Sequence, residues 1–245
     1  MNNNKFLKTY WEGQFSNLEI LSIKSFIENG HTLFVYTYDN NVKTIDKNMI
    51  ILDANEIVPK KRRQEVKGVS TIFSDYFRYY MLYKTGGWWV DLDIVLLRPI
   101  TTEKEVVVSW HFYEKTKAGY SASMLNPAPL KIPKGHALAE SCIKRVESHD
   151  VGNLSHAQLS GRLLQQEVSN LNLEHFSVPA EVYSPIGWGE VHKIVESGFG
   201  FDRITENTVS VHLFNYMWCY RNKIDKNGKY PHDSLYEYLK QLYKI

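Results

Sequence analysis

The sequence has little cysteine and no long apolar run. Of its 245 residues only Cys142 and Cys219 are cysteines. Both lie in apolar stretches of helical spacing, so we expect buried free thiols, as is typical of cytoplasmic proteins. A signal peptide and a run of eighteen apolar residues are also missing, which predicts a soluble chain. Repeats, low-complexity tracts and linkers are absent too, so we expect one domain spanning residues 1–245.

An excess of charge of either sign is missing as well. The chain has 29 Lys and Arg against 27 Asp and Glu, a net charge of +2, which does not predict a nucleic-acid-binding protein. The densest charged run, KKRRQEVK at residues 60–67, is typical of a solvated helix face. The alternative is a weak peripheral contact with an anionic membrane surface, worth about 1 kcal/mol per basic residue.

The chain instead has a composition typical of a globular α/β protein, with 43% hydrophobic residues and 13% aromatics. Residues 5–11 predict a strand, and the capping box Ser16-x-x-Glu19 predicts a helix that ends near Asn29. Residues 32–38 predict the next strand. Such a strand–helix–strand unit is typical of the parallel crossover in nucleotide-binding sheets, whose ligands bind beyond the carboxyl ends of the strands.

The most informative segment covers residues 74–100. It predicts a helix capped by Ser74 and closed by Gly86-Gly87. One helix face is apolar and comprises Phe73, Tyr76, Phe77, Tyr80 and Met81. The opposite face carries Asp75 and Arg78, which would be an ordinary ion pair of little energetic worth if that face were solvated.

Two aspartates follow, at the end of the predicted strand Trp88–Asp93. Asp91 and Asp93 are two residues apart, so in an extended segment both carboxylates leave the same side. Two converging carboxylates repel each other unless a cation lies between them. Mg²⁺ and Mn²⁺ prefer oxygen ligands, commonly carboxylates together with substrate phosphates.

The combined pattern Asp75-x-x-Arg78, Leu82-Tyr83-x-x-Gly86-Gly87 and Asp91-x-Asp93 resembles glycosyltransferases with the DXD sugar-binding region. These are the family 32 enzymes of the initiating mannosyltransferase and capsule type, and they are distantly similar to the large clostridial glucosylating toxins. The resemblance implies an α/β fold of GT-A type, a Rossmann-like nucleotide-binding domain with a mixed sheet and flanking helices. It also implies a nucleotide-sugar donor, Mn²⁺ or Mg²⁺, and transfer with retention at the anomeric carbon.

The resemblance further implies roles for single residues. Asp93 would bind the metal directly, and Asp91 would bind the ribose or donor sugar and share the metal. Both are the candidate catalytic residues. The donor-binding set comprises Tyr10, Trp11, Asp75, Arg78, Trp89, Asp91 and Trp218. Trp11 is similar to the family's aromatic in its W-x-G element, where it would stack on the nucleotide base; a core or rim tryptophan is the alternative.

A third group of candidates lies near the C-terminus. Val209–His212 predicts a strand, and relatives carry a histidine at such a strand end with a tryptophan about six residues on. His212 would complete the metal shell opposite Asp93, and Trp218 would cover the diphosphate. A hydrogen-bonded structural histidine is the alternative for His212, and Asn215 is a second candidate ligand.

The remaining elements follow from turn signals and periodicity. Strands are predicted at residues 105–112, 120–125, 176–178 and 182–183, helices at about 136–147, 155–168 and 234–245, and a break in the pattern at 126–129. His136 is expected in the first turn of its helix rather than as a ligand.

The predicted function is transfer of a hexose from a nucleotide-diphosphate sugar, UDP preferred over GDP, to a saccharide or lipid-linked saccharide in surface polysaccharide synthesis. The expected location is the cytoplasm, with peripheral contact at the inner face of the membrane. One alternative is a toxin-like enzyme that glycosylates proteins. The other is a saccharide-binding module without catalysis, and metal-dependent nucleotide release separates an enzyme from such a binder.

Overall fold

The computed structural model describes residues 4–66, 70–117, 119–120, 123–155 and 159–245. The strands are β1 Phe6–Tyr10, β2 Thr32–Thr37, β3 Met49–Asp53, β4 Gly87–Trp89, β5 Ile94–Leu96, β6 Val107–His111, β7 Lys115–Thr116, β8 Gly119–Tyr120, β9 Met124–Ile132, β10 Ser177–Val178 and β11 Ser210–His212. The α-helices are α1 Asn17–Glu28, α2 Lys60–Glu65, α3 Ser70–Thr85, α4 Ala137–Glu147, α5 Gly161–Asn170, α6 Ala180–Tyr183 and α7 Leu235–Leu242. Among the described residues, none of the helices combines the length and apolar composition needed to cross a bilayer.

Seven strands form one mixed sheet in the order β10-β6-β9-β4-β1-β2-β3. Strands β4, β1, β2 and β3 are mutually parallel, whereas β9 runs antiparallel to both of its neighbours, β4 and β6. The predicted mixed α/β fold is therefore confirmed. Strand β4 lies where the parallel half meets the antiparallel half, and β5 pairs with β11 in a separate two-stranded sheet.

The predicted crossover β1–α1–β2 is confirmed. The Ser16 side chain accepts a hydrogen bond from Leu18 N–H, and the Glu19 carboxylate accepts one from Ser16 N–H at 2.8 Å, which is the capping box. The helix ends before Gly30, whose φ of +83° is the left-handed conformation that terminates helices. Strands β1 and β2 then pair in parallel, as the sequence predicts.

Helix α3 begins at Ser70, so the prediction of an N-cap at Ser74 is wrong. Ile72 and Phe73 pack against the core, and this burial extends the helix through a residue that would otherwise favour a cap. The predicted C-terminal stop is confirmed, because Gly86 has a φ of +63° and its N–H bonds to Leu82 O at 2.8 Å. A Cβ on Gly86 would lie 2.4 Å from Lys134 N, so only glycine fits this contact.

Strand β9 runs through residues 126–129, where a break is predicted, and this prediction is wrong. Pro127 and Pro129 lack the N–H that a regular ladder requires. The pairing with β6 accommodates them through a register shift between Val107 and Ser109. The central position of β9 in the sheet thus overrides the local signal.

Three other predicted elements differ from the structure. Residues 182–183 lie in the short helix α6, not in a strand, because Pro179 fixes the helix start. Helix α5 begins at Gly161, later than predicted, and residues 156–158 of the predicted span lie outside the described part. His136 caps α4 rather than occupying its first turn, since its Nδ1 accepts a hydrogen bond from Leu138 N–H.

Two hydrophobic clusters hold these layers together. The larger one fills both faces of the seven-stranded sheet, and the smaller one packs β5, β11 and the C-terminal segment against α1. Helix α7 contributes Leu235 and Leu239 to the smaller cluster as predicted, but Leu242 is exposed. Cys142 and Cys219 are both free; Cys142 is buried as predicted, whereas Cys219 is half-buried.

The charged run at residues 60–65 forms the exposed helix α2. Arg62 bonds to Glu65 and Glu147, and Arg63 pairs with Glu12 at 3.0 Å. These two arginines are therefore engaged within the protein, which favours the interpretation as a solvated helix face over membrane contact.

Candidate functional site

The two aspartates of the D-x-D motif lie in a turn just beyond β4. Strand β4 ends at Trp89, so the prediction that Asp91 and Asp93 belong to an extended strand is wrong. The turn is closed by Ile94 N–H, which donates to Asp91 O at 3.3 Å. Both side chains are partly accessible, with 27% of Asp91 and 14% of Asp93 exposed.

The turn brings both carboxylates to His212, the last residue of β11. The antiparallel pairing of β11 with β5 places His212 opposite Ile94, one residue after Asp93. One ligand atom each from Asp91, Asp93 and His212 lies within 4.8 Å of the others. The fold thus gathers residues from two distant parts of the chain into one cluster of oxygen and nitrogen donors.

The backbone after β11 wraps around Asp93. Leu213 N–H donates to the Asp93 main-chain carbonyl, and Asn215 N–H donates to Asp93 Oδ2, both at 2.7 Å. Between them Phe214 adopts a φ of +47°, a conformation that is costly for a phenylalanine. Strain of this kind is common at binding sites, where the surrounding structure holds it in place.

The other carboxylate oxygen of Asp93, Oδ1, lacks a satisfactory hydrogen bond among the described residues. His212 Nε2 lies 3.1 Å from Asp93 Oδ1, but this oxygen is buried and has no hydrogen bond of acceptable geometry within the described residues. A buried oxygen without a hydrogen-bond donor requires an explanation. A divalent cation supplies one, since two carboxylates and one imidazole suit Mn²⁺ or Mg²⁺. The donor set therefore fits the metal that the sequence implies.

His212 is held from behind by residues that no sequence motif indicated. Asn126 Nδ2 lies 2.9 Å from His212 Nδ1 and donates to Ser184 Oγ at 2.9 Å. Asn126 and Ser184 are fully buried. Such support of a metal-binding histidine by a polar side chain fixes the orientation of its ring.

Arg78 connects helix α3 to the motif. Its Nη1 lies 2.8 Å from Asp75 Oδ1 and its Nη2 3.1 Å from Asp91 Oδ1, and the side chain is only 2% exposed. Trp89 lies beneath the guanidinium and donates from Nε1 to Asp91 Oδ1 at 2.7 Å. The interpretation of Asp75 and Arg78 as a solvated surface pair is wrong, because this helix face is buried against the motif.

The electrostatic environment separates the two aspartates. Burial raises the pKa of Asp91, and the attraction of Arg78 only partly opposes the effect of burial and of Asp93. Burial also acts to raise the pKa of Asp93, but His212 and the Asn215 N–H outweigh it, so this pKa lies below its usual value. Asp93 is therefore the more strongly anionic of the two carboxylates.

Two aromatic residues predicted for donor binding are core residues instead. Tyr10 is 4% exposed and its ring packs between Phe73 and Phe77. Trp218 is fully buried and packs edge-on against Tyr236, with ring centroids 4.7 Å apart. Neither ring offers a free face to a ligand in this conformation. Their spacing in the sequence does not distinguish a core ring from a site ring.

Trp89 and Trp11, the other two tryptophans predicted to bind the donor, differ in accessibility. Trp89 is fully buried and orients Asp91 instead of presenting a ring face to the donor. Trp11 is half-buried beyond the end of β1, where it stacks on Phe15 with centroids 5.8 Å apart and lies 6.0 Å from Lys226 Nζ. Trp11 alone of the four predicted aromatic residues keeps an accessible edge on the carboxyl side of the sheet.

His111, the last residue of β6, lies near the cluster on the far side of the Phe214 ring. The Phe214 ring stacks on His212, with centroids 4.0 Å apart, and lies 5.6 Å from the ring of His111. Burial, together with the electrostatic influence of the neighbouring His212, lowers the pKa of His111 to about 3. Sequence analysis did not indicate His111, because a histidine within an apolar strand carries no motif.

A cavity of about 380 Å³ lies elsewhere, between α2, α3 and the end of α4. Charged side chains line it, and one of them, Glu147, accepts hydrogen bonds from Tyr76 at 2.7 Å and Tyr80 at 2.5 Å and contacts Arg62. No residue of the aspartate–histidine cluster lines it.

Comparison with known proteins agrees with this geometry. Residues 23–113 match the family described as the glycosyltransferase sugar-binding region containing the DXD motif. This region is glycosyltransferase-like. The mixed sheet with its flanking helices has the GT-A-like arrangement, so the predicted fold class is confirmed.

Two solved structures are similar to the chain. The PaToxG glycosyltransferase has 14% sequence identity and a TM-score of 0.49, with 69% of this chain and 70% of that chain covered. A transferase with two cysteine-to-serine substitutions has 10% identity and a TM-score of 0.41, with 69% of this chain and 87% of that chain covered. No curated protein matches the chain significantly.

Proposed function

We propose that this protein is a metal-dependent, retaining glycosyltransferase. It transfers a hexose from a nucleoside diphosphate sugar, UDP preferred over GDP, to a saccharide or lipid-linked saccharide acceptor in surface polysaccharide synthesis. The observation that carries the proposal is the cluster of Asp91, Asp93 and His212 next to the buried Asp75–Arg78 pair. Residues 1–245 act as one domain, and the two unpaired cysteines are in keeping with a cytoplasmic location.

Asp93, His212 and Asp91 hold the metal in this proposal. When bound, the cation neutralises the charge that builds on the departing diphosphate. The Asn215 N–H keeps Asp93 Oδ2 occupied, which leaves Oδ1 directed at the cluster. Asn126 keeps the His212 ring in place.

Arg78 and Asp75 orient the donor. Arg78 Nε has no hydrogen-bond partner among the described residues, although the side chain is buried. A guanidinium offers its donors in a rigid fork suited to phosphate and to sugar hydroxyls. Trp11, beyond the end of β1, stacks on the nucleotide base.

In the proposed reaction the bond between the anomeric carbon and the diphosphate oxygen breaks, and an acceptor hydroxyl oxygen forms the new bond on the same face. The proton of that hydroxyl passes to the departing phosphate oxygen. The carboxylates near the cluster, Asp75 and Asp91, are both engaged by Arg78, so neither is a free nucleophile. This favours front-face transfer over a covalent glycosyl-enzyme.

A screen of UDP- and GDP-hexoses for Mn²⁺-dependent release of nucleotide tests the function. We expect release with one donor, loss of activity with a chelator and recovery with Mn²⁺ or Mg²⁺. Asp93→Asn removes an anionic ligand but keeps the shape, so activity falls by at least about 100-fold while the fold is retained. The anomeric configuration of the product, read by NMR, tests retention.

A matched control is Asp202→Asn, which alters an exposed aspartate that pairs with Arg203 and is not part of the cluster. It leaves turnover unchanged. Full turnover by Asp93→Asn would contradict the metal assignment. Nucleotide-sugar binding without any turnover would indicate a binding module.

A further inference from the structure

Strand β6 carries two buried polar side chains that have no partner. Ser109 is fully buried and His111 is 9% exposed. Ser109 Oγ and both ring nitrogens of His111 lack hydrogen-bond partners among the residues that the structure describes. The two residues are two apart on a strand, so both side chains leave the same face of the sheet.

Ten of the described residues carry a buried side-chain atom without a hydrogen-bond partner, and His111 is the histidine among them with both ring nitrogens unpaired. The buried His31, in contrast, is fully paired. His31 is 4% exposed, but its Nδ1 lies 2.8 Å from Asn4 O and its Nε2 accepts a hydrogen bond from Ile100 N–H at 3.1 Å. Buried polar groups without partners destabilise a fold, and natural proteins retain few of them. Their presence at His111 and Ser109 indicates that a ligand supplies the missing hydrogen bonds.

The location of β6 agrees with a ligand site. Strand β6 is antiparallel to β9, which is antiparallel to β4, so the carboxyl ends of β6 and β4 lie at the same edge of the sheet. His111 ends β6 as Trp89 ends β4. Ligands of open α/β sheets bind at this edge.

The unpaired groups also adjoin the aspartate–histidine cluster. Asn126, which contacts His212, lies opposite Ser109 in the β6–β9 pairing. The half-buried Phe214 ring lies between His111 and His212 and covers both. Its strained backbone, with φ of +47°, makes a rearrangement of this cover less costly.

The chemistry of these groups selects a neutral ligand with hydroxyls. An uncharged imidazole offers one donor and one acceptor, and a serine hydroxyl offers the same. A sugar hydroxyl also donates and accepts, whereas a phosphate would need donors only. Phe214 adds an apolar surface of the kind that packs against the C–H face of a sugar ring.

We propose that Ser109 and His111 form a saccharide-binding subsite that Phe214 covers in this conformation. This subsite rests on the proposed glycosyltransferase function, and it holds a ring hydroxyl of the transferred sugar or of the acceptor.

The test compares His111→Leu with His31→Leu. Affinities for UDP and UDP-glucose, and for GDP and GDP-mannose, are measured by calorimetry with MnCl₂, and unfolding temperatures are measured without ligand. His111→Leu removes an unpaired imidazole, so we expect its unfolding temperature to rise by about 2–4 °C. We expect it to lose about tenfold in the preference for the nucleotide sugar over the free nucleotide, since two hydrogen bonds are lost.

His31→Leu removes a paired imidazole, so we expect the unfolding temperature to fall. We expect the preference for the nucleotide sugar over the free nucleotide to stay unchanged. His111→Gln keeps a donor and an acceptor and retains more of the preference than His111→Leu. If His111→Leu keeps the preference for the nucleotide sugar but its KM for a methyl hexoside acceptor rises about tenfold, the subsite binds the acceptor.

Three results overturn the proposal. Unchanged preference and unchanged acceptor KM in His111→Leu reject the subsite and leave the glycosyltransferase function standing. A lower unfolding temperature together with equal losses for nucleotide and nucleotide sugar assigns His111 a structural role. Failure of the unmodified protein to bind any of the four nucleotides rejects the function and the subsite together.

Discussion

At the scale of single residues, the orientation of the His212 ring depends on its contact with the side-chain amide of Asn126. As placed, the Asn126 NH₂ group faces His212 Nδ1, and its carbonyl oxygen accepts a long hydrogen bond from Ala128 N–H at 3.3 Å. For Nε2 to bind a cation, the ring proton must lie on Nδ1, where it needs an acceptor. In the proposed metal-bound form the Asn126 amide would therefore turn its oxygen toward His212, and the Ser184 hydroxyl suits either orientation.

Replacement of Asn126 should consequently weaken metal binding without touching a ligand. We expect Asn126→Leu to lose about 10–100-fold in Mn²⁺ affinity, as is usual for residues that support a metal-binding histidine. Asn126→Asp keeps an oxygen toward Nδ1 and should bind Mn²⁺ at least as well as the unmodified protein. A Mn²⁺ titration by EPR with UDP present measures both. Equal affinities for the two variants would contradict this role.

His111 also predicts a pH dependence of stability. Its pKa is lowered from 6.5 to about 3 in the folded protein, because burial disfavours the charged ring. The unfolded chain therefore binds a proton below pH 6.5 and the folded protein does not, so stability is complete above pH 6.5 and falls as the pH decreases toward 3.

The stabilising effect of His111→Leu should therefore grow by about 2 kcal/mol between pH 7.5 and pH 5. Urea denaturation at both pH values measures the change. A constant difference across the pH range would show that His111 is not held neutral.

Residue types and spacing predicted the charged part of the site but not its supports. The five residues lie together because Arg78, in the body of α3, contacts Asp75 and Asp91, and because β11 ends at His212 beside Asp93. Asn126 and Ser184 reach His212 only through the pairing of distant strands, which no local pattern encodes. The aromatic predictions were the weakest part, since Tyr and Trp suit a core as well as a site.

At the scale of secondary-structure elements, the junction between α3 and β4 positions the motif. Gly86 ends the helix in a left-handed conformation and lies against the backbone of Lys134. Lys8 on β1 fastens the same junction by donating to Gly86 O at 2.6 Å. Because β4 has only three residues, any shift of this junction is passed directly to Asp91.

Gly86→Ala should be much more harmful than Gly30→Ala. Both glycines have a positive φ, but the added methyl group meets nothing at Gly30 and meets Lys134 N at 2.4 Å at Gly86. We expect Gly30→Ala to cost about 1–2 kcal/mol of unfolding free energy and Gly86→Ala about 2–5 kcal/mol. Urea denaturation measures both values. Equal costs would mean that the α3–β4 junction yields easily.

Elements with their own sequence signals were predicted well, and elements decided by packing were not. The capping box and glycine stop of α1 are local, so its limits agree with the sequence. The start of α3 and the course of β9 depend on what they pack against, and there the local signals at Ser74 and at residues 126–129 were misleading.

At the scale of the whole molecule, the loop that contains Lys226 and Asn227 packs against the start of α1. Lys226 pairs with Glu19, which is 1% exposed, and Asn227 Oδ1 accepts a hydrogen bond from Asn17 N–H at 2.9 Å. The same loop brings Lys226 to Trp11. The start of α1 and the loop at Lys226 and Asn227 thus stabilise each other next to the proposed nucleotide site.

Lys226→Met should therefore destabilise the protein, because it leaves the buried Glu19 carboxylate without its cation. We expect a loss of about 1–3 kcal/mol of unfolding free energy. Lys144→Met is the matched control, since Lys144 pairs with Glu140 on an exposed helix face and should cost less than about 0.5 kcal/mol. Chemical denaturation measures the unfolding free energy of both variants. Equal losses would contradict a stabilising contact between Lys226 and Glu19.

The pairing of β5 with β11 also determines when the proposed metal site is complete during protein synthesis. Asp93 and His212 are separated by more than a hundred residues along the chain. Ribosomes add about 5–20 residues per second, so the aspartates leave the ribosome on the order of ten seconds before the histidine. A nascent chain therefore passes through a period in which its carboxylates are present without the imidazole, and the proposed cation site is complete only after His212 has emerged.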